Sequence, residues 1–448
     1  MYLALVTESL LAILRNNYFP KMTFRSLIFI VPILGYSQNL TVSEIVHKGN
    51  TITKDYIISR EIQHGKGMPL DSTIAEEDKN RLLNLGIFAD VKWRAIPLEN
   101  MTFRLEYQII ENDDFFGGRF LGAALPAYDE KTGWSFSGGG FLKNFRGRNE
   151  QIGIGFSVGG FNTIALAYMN PWITGDHVSF GSDLVKNKYD HPFLDYNIDI
   201  KSFEMNIGRY FGYQRKTSLG FEIEEFQFFS DTSFSKYQYF APQGSFAYDT
   251  RDLYDNPRKG ILLREMFFSR FDLNGKLENN ITWIQSFSIY KQLSKSSNEK
   301  PWILAWGVKM QMNIGIKDQR FISAMGSGNT IRGFGYPNRI TYNNADESYR
   351  FGFNNYHTSI ELRRIIIPRR VIAERYEFGA TIAGFVDYGA ATQGEFSSLA
   401  DSKGLMSTGI SFQFEGPWPS IIRIDYGWGF YDGKRKDSAM HLEIGHKI

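Results

Sequence analysis

The sequence predicts a mainly β membrane protein: a transmembrane barrel of about 16 antiparallel strands preceded by one small α+β domain. Three observations carry this. The chain of 448 residues is 43% hydrophobic with a mean hydropathy of -0.29, too polar for a bundle of membrane helices. Yet 16% of it is aromatic and 43 residues are glycine, unusual for a soluble domain and expected of strands that turn only every second residue to lipid. From Asp113 onward the apolar residues recur with a period of two.

The chain opens on an address. Lys21 and Arg25 precede an apolar run from Leu27 to Leu34, and Gly35-Tyr36-Ser37 places small residues where a signal peptidase needs them. Residues 1–37 are therefore expected to be a signal peptide cleaved before Gln38, with Met22 the better-placed start. The run falls well short of the ~20 apolar residues a spanning helix requires.

Residues 38–112 read as a separate domain. Val42 to His47 is strand-like, and Gly49-Asn50 turns the chain into a helical stretch from Asp55 to Ile62. A second helix spans Ala75 to Leu85, with Ser72 or Thr73 as its cap and Gly86 as its stop. Strands come next, around Phe88–Ile96 and Thr102–Ile109. The order is strand, helix, helix, strand, strand, and no Pro-, Gly- or Ser-rich linker separates this domain from the alternating segments beyond Asn112.

In residues 113–448 one face of each strand is apolar. Ile152, Ile154, Phe156 and Val158 alternate with glycine and serine; Leu219, Phe221 and Ile223 alternate with Gly220, Glu222 and Glu224. Trp302, Leu304 and Trp306 oppose Ala305, Gly307 and Lys309, and Ile422, Ile424 and Tyr426 oppose Arg423 and Asp425. The charged set must face the lumen, because an Arg423 held on lipid at the midplane would cost roughly 2–4 kcal/mol. The about 336 residues after Asn112, at about 10 per strand plus turns and longer loops, fit about 16 strands.

Four segments make a family resemblance specific. Residues 38–112, with Gly49-Asn50, Leu85-Gly86-Ile87-Phe88 and Val91, resemble a polypeptide-transport-associated (POTRA) domain. Tyr248-Asp249-Thr250-Arg251-Asp252, followed by Asn256-Pro257-Arg258-Lys259-Gly260, is similar to the Asp-Thr-Arg-Asp…Pro…Gly hairpin of the BamA/TamA superfamily of outer-membrane assembly and secretion barrels, the bacterial surface antigen family. Ile331-Arg332-Gly333-Phe334 resembles that family's Val/Ile-Arg-Gly-Phe/Tyr motif, and Phe385-Val386-Asp387-Tyr388-Gly389 its Phe-x-Asp-x-Gly strand. The resemblance implies a long loop folded back into the barrel and anchored by a pairing of Arg332 with a lumenal carboxylate, Asp387. A guanidinium fork suits that bidentate role, Gly333 allows close backbone approach, and Phe334 can pack on the wall.

Asp249, Arg251 and Asp252 are expected to form a solvated hairpin ladder, since no histidine neighbours them to make a metal or acid/base cluster. His441 and His446, five apart on a strand, are expected to face opposite sides. No nucleophile elbow, phosphate loop or nucleotide fingerprint is present, and the chain has no cysteine. No enzyme, cofactor or metal is expected, and the formal charge of +2 gives no reason to expect nucleic acid.

The resemblance implies a protein of the outer membrane of a Gram-negative bacterium, its POTRA domain in the periplasm. It implies insertion or assembly of outer-membrane proteins, or polypeptide translocation. Partners would be the lipid bilayer, unfolded or exported polypeptide clients, and periplasmic chaperones or lipoproteins. Client would bind by β-augmentation of the POTRA strand edge and at a seam between the first and last barrel strands. A secretion pore for one exported partner and a passive structural channel stay open. The chain departs from the family pattern in ending on Ile448 rather than Phe and in having a single POTRA-like unit.

Overall fold

The computed structural model describes residues 40–112 and 120–448, apart from 130–132, 160–161, 176, 192–193, 231–232, 276–278, 296–297, 316, 318–321, 373–375 and 417–420. The expected signal peptide lies outside the described residues.

The N-terminal domain runs β1 (Thr41–Lys48), α1 (Asp55–Ser59), α2 (Ser72–Asn84), β2 (Phe88–Pro97) and β3 (Thr102–Glu111), in the expected order. Its sheet is ordered β1-β3-β2, β1 parallel and β2 antiparallel to the central strand. Ile57, Ile58, Leu82, Phe88, Val91, Leu105 and Tyr107 form its buried core. Beneath them Asp78 accepts from the Gln63 amide at 2.7 Å and the Tyr107 hydroxyl at 2.9 Å, so this carboxylate is buried but partnered.

Two local readings change. The cap of α2 is Asp71, whose side chain accepts from the Thr73 amide at 2.7 Å; Ser72 and Thr73 are already helical. Helix α1 stops at Ser59, short of Ile62. Beyond it the amides of Glu61 and Ile62 reach back three residues, to the Ile58 and Ser59 carbonyls, tightening the chain out of α geometry.

Glu111 fastens the end of β3 to the segment before α1. Its carboxylate accepts from the amides of Thr51 (2.9 Å), Ile52 (2.9 Å) and Thr53 (2.7 Å) and from both threonine hydroxyls. Burial favours the neutral acid, but these donors outweigh it and hold the group below its ordinary range. A depressed carboxylate contributes stability above its unfolded value of about 4.3 and loses that contribution as pH falls through the lower folded value. Glu111→Gln is therefore expected to cost about 1 kcal/mol at neutral pH, and the difference from wild type should shrink as pH falls below about 4. Hydrogen exchange of the Thr51–Thr53 amides across that range checks it.

The second part is one antiparallel sheet. It comprises β4 (Phe120–Asp129), β5 (Gly133–Phe145), β6 (Glu150–Gly159), β7 (Asn162–Thr174), β8 (Val178–Asp190), β9 (Asn197–Phe211), β10 (Arg215–Phe229), β11 (Phe234–Asp249), β12 (Gly260–Asp272), β13 (Asn280–Gln292) and β14 (Trp302–Gly315). A long loop comes next, containing β15 (Ser323–Ala324), α3 (Arg339–Asn343) and β16 (Phe351–Gly352). The sheet resumes with β17 (Asn354–Ile372), β18 (Tyr376–Thr392), β19 (Leu405–Glu415), β20 (Ile422–Tyr431) and β21 (Lys434–Ile444). β14 pairs with β17 across the loop, making 16 strands in sequential order. Sixteen is the expected count.

The period-two pattern sorts as anticipated. Ile154, Phe156, Leu219, Ile223, Trp302, Leu304, Trp306, Ile424 and Tyr426 are exposed on the outer face, whereas Arg363, Arg423, Glu361, Asp387 and Asp425 are fully buried inside. The N-terminal domain packs on the end opposite the one at which the β14–β17 loop leaves and rejoins the sheet. Lys54 donates to the Gly147 carbonyl at 2.9 Å, Arg60 lies 4.3 Å over the Trp172 ring, and Arg81 lies 4.3 Å over Tyr213. Asn84 accepts from the Tyr254 amide at 2.9 Å and donates to the Asp252 carbonyl at 3.2 Å. Three turns and the end of β7 thus touch the domain.

Candidate functional site

The loop between β14 and β17 runs inside the barrel, and Arg332 is its anchor. The residues around it point inward because their neighbours point out: Ile360 and Leu362 are exposed on either side of Glu361, and Val386 and Tyr388 on either side of Asp387. Register completes the site, setting Ser359 opposite Asp387.

The Arg332 guanidinium grips Asp387 in bidentate fashion along one edge, Nε to Oδ2 at 2.8 Å and Nη2 to Oδ1 at 2.7 Å. Its own amide donates to the same carboxylate at 3.1 Å. Nη1 donates to Glu361 at 2.6 Å and Nη2 to the Ser359 hydroxyl at 2.9 Å, while the fork lies 3.5 Å over the Phe385 ring. Arg363 pairs with Glu361 at 2.7 Å and Arg423 with Asp425 at 2.6 Å. Three buried guanidiniums therefore face three buried carboxylates, and the cluster is balanced in charge.

The flanking motif residues hold the loop in place. Ile331 and Phe334 are buried with Met325 and Leu405. Gly333 has φ +79, and a Cβ on it would sit 2.8 Å from backbone atoms of Gly427 and Trp428, so both conformation and space require glycine. Phe334 lies against Gly429 of β20.

The same loop braces the last strand from inside. The amide of Gly335 donates to Asp437 at 2.9 Å, that of Gly333 to Nε2 of His441 at 3.2 Å, and the Asn329 side chain to Glu443 at 2.9 Å. Lys447 donates to the Asn329 carbonyl at 2.9 Å and also to that of Thr330. Here the expectation for the two histidines fails. β21 ends at Ile444 and Gly445 adopts φ +100, so the chain turns inward. His446 reaches the Asp255 carbonyl, and it and His441 both face the lumen.

The Asp249–Gly260 hairpin also differs from the solvated ladder expected of it. Arg251 pairs with Asp249 in bidentate fashion, at 2.9 and 2.7 Å. Asp252 accepts from the amides of Leu253 and Arg258 at 3.0 and 2.9 Å, folding the turn on itself. Asn256 and Pro257 are buried, and Asn256 donates across the mouth to Glu415 of β19 at 2.6 Å. Gly260, at φ +111, passes close against the Arg251 backbone. The turn is drawn inward because its own carbonyls and amides are met by Asn84 on one side and β19 and His446 on the other.

Sequence reasoning did not single out Glu361, Ser359 or Lys447. Glu361 carried a usable signal: a lone carboxylate between two outward aliphatics on a strand.

Residues 144–448 match the model of the Omp85 superfamily domain. The chain belongs to the Omp85 superfamily. Its residues 40–112 match the POTRA model, described as a surface antigen variable number repeat. Among curated proteins, this Omp85 chain is similar to outer membrane protein assembly factor BamA of Neisseria meningitidis serogroup B, at 25% identity over 154 residues. That match spans 34% of this chain and 19% of the relative. Among solved structures, the Omp85 fold is similar to BamA from Haemophilus ducreyi lacking POTRA domains 1–3, with TM-score 0.51 at 17% identity, covering 90% of this chain and 85% of that one. CdiB from Acinetobacter baumannii gives TM-score 0.50 at 13% identity over 89% and 72% of the two chains. CdiB from Escherichia coli gives 0.50 at 10% over 92% of each. This protein is an outer-membrane β-barrel carrying one POTRA domain.

Proposed function

We propose that this Omp85 barrel inserts polypeptides into the outer membrane of a Gram-negative bacterium, with its POTRA domain in the periplasm. The observation that carries the reading is the state of the sheet's two ends. Among the described residues no ladder joins β4 to β21. Met440, Leu442 and Ile444 on the outer face of β21 are 72%, 72% and 73% exposed, against 37–40% for Ile424 and Tyr426 on the strand beside it. An unpaired strand edge is costly in lipid, where no water satisfies its amides and carbonyls. A client strand that pairs there removes the cost for both chains, so the edge templates insertion without nucleotide. The loop contacts along Asp437, His441 and Glu443 hold the inner face of β21 in register while its outer edge is used.

Delivery falls to the POTRA sheet. The start of β1 is already occupied, Thr41 bridging to Pro69, which leaves β2 as the edge for an extended client.

Depletion of the protein followed by quantitative proteomics of the outer membrane tests the reading, with barrel folding scored by heat-modifiable gel mobility. Loss of folded forms across many barrels is expected. Loss of one or a few surface proteins would replace insertion with dedicated secretion, and altered permeability alone would leave a passive channel.

A further inference from the structure

The outer face of β7–β11 changes character sharply toward the end opposite the POTRA domain. One cross-strand row is wholly apolar: Leu166, Leu184, Phe203, Ile223 and Phe240 stand opposite one another in register. The next row outward is Ile164, Lys186, Lys201, Glu225 and Gln238. This is the level at which acyl chains give way to headgroups. A cleft of about 500 Å³ spans both rows, with Leu184, Phe203 and Ile223 below and Lys186 and Lys201 above.

Lys186 and Lys201 are directly opposed on this face. Like charges so placed, with Cβ atoms ~5 Å apart, destabilise a sheet unless an anion lies between them. Among the described residues that anion is supplied to only one of them. Glu225 is shared by Lys201 at 3.1 Å and Lys236 at 2.8 Å, and Asp199 stands opposite Lys188 in the row beyond. Among the described residues Lys186 has no ion-pair partner within 4.0 Å.

We infer that this cleft binds a phosphate-bearing lipid of the outer leaflet, an acyl chain lying along Leu184, Phe203 and Ile223 and a phosphate seated between Lys186 and Lys201. Two ammonium groups carried at opposed positions on neighbouring strands suit a tetrahedral anion with several acceptor oxygens, whereas a planar carboxylate is better matched by a guanidinium fork. Lys201 turns from Glu225 to the phosphate, and Glu225 keeps Lys236. The apolar row selects a lipid over a free anion, and the lysine pair selects a phosphorylated lipid over a zwitterionic one. The site is independent of how the seam works.

The test uses the full chain in detergent, titrated with diphosphoryl lipid A, its dephosphorylated form, and inorganic phosphate as competitor. Folding is verified by heat-modifiable mobility. The wild type is expected to bind the diphosphoryl form at least tenfold more tightly than the dephosphorylated one. The K186A/K201A variant should lose that preference, and Arg364→Ala at the opposite end of the barrel should retain it. Should the double variant not fold, Lys186→Gln alone is expected to weaken binding about fivefold. Binding by either lysine variant within twofold of wild type, equal binding of the dephosphorylated lipid, or displacement by millimolar inorganic phosphate would each overturn the inference.

Discussion

Replacing Arg332 by alanine is expected to cost the barrel about 3–5 kcal/mol and to release the inward loop. The group is fully buried, and its removal leaves Asp387 and Glu361, also fully buried, facing one another across the space it filled. Asp387 then keeps only the Ser359 hydroxyl, at 2.6 Å, and the backbone amide of residue 332, at 3.1 Å, neither of them charged. Lysine does not substitute: a single ammonium cannot hold both oxygens of Asp387, reach Glu361 and lie flat on Phe385 together. Arg332→Lys is therefore expected to recover less than half of the loss. Urea midpoints of the heat-modifiable form measure the energy, and protease cutting between residues 325 and 335 measures release of the loop. An alanine variant within 1 kcal/mol of wild type, its loop still protected, would remove Arg332 as the anchor.

The barrel was legible in the sequence because its physics is local. Each strand declares its faces by alternation, and Arg423 could be assigned to the lumen from its neighbours Ile422 and Ile424 alone. The POTRA order was legible for the same reason, down to Gly86 at the end of α2. The site was legible in part. Arg332, Gly333, Phe334 and Asp387 lie in segments whose residue types are unusual enough to be recognised by resemblance, and the structure brings them together. What stayed hidden depends on encounters between segments far apart in the chain. Glu361 meets Arg332 only because β14 pairs with β17 across the loop. His446 faces inward only because Gly445 takes a positive φ and ends β21, an event that alternation cannot foresee. The Asp249–Gly260 turn reads as solvated from its charges, yet its partners are Asn84, Glu415 and His446, none adjacent to it in sequence.

The second large effect is expected at Gly333, where alanine should mimic loss of the arginine beside it. The added methyl group meets backbone rather than a movable side chain, 2.8 Å from the carbonyl carbon of Gly427 and the amide of Trp428, and φ +79 strains any residue with a Cβ. β20 cannot yield, since its pairing with β19 and β21 is continuous at this point. The loop must lift instead, and a lift of even about 1 Å exceeds what the Arg332 hydrogen bonds at 2.6–2.9 Å tolerate. Gly333→Ala alone is thus expected to cost about 3 kcal/mol, the lower end of the loss of a buried ionic partner. Because both substitutions undo the same seating, their effects should not add: the double variant should be no more than about 1 kcal/mol less stable than Arg332→Ala, a coupling of about 2 kcal/mol in a double-mutant cycle. Additive losses would mean that Gly333 strains β20 locally while Arg332 holds the loop by itself, and the motif would then be two separate devices rather than one.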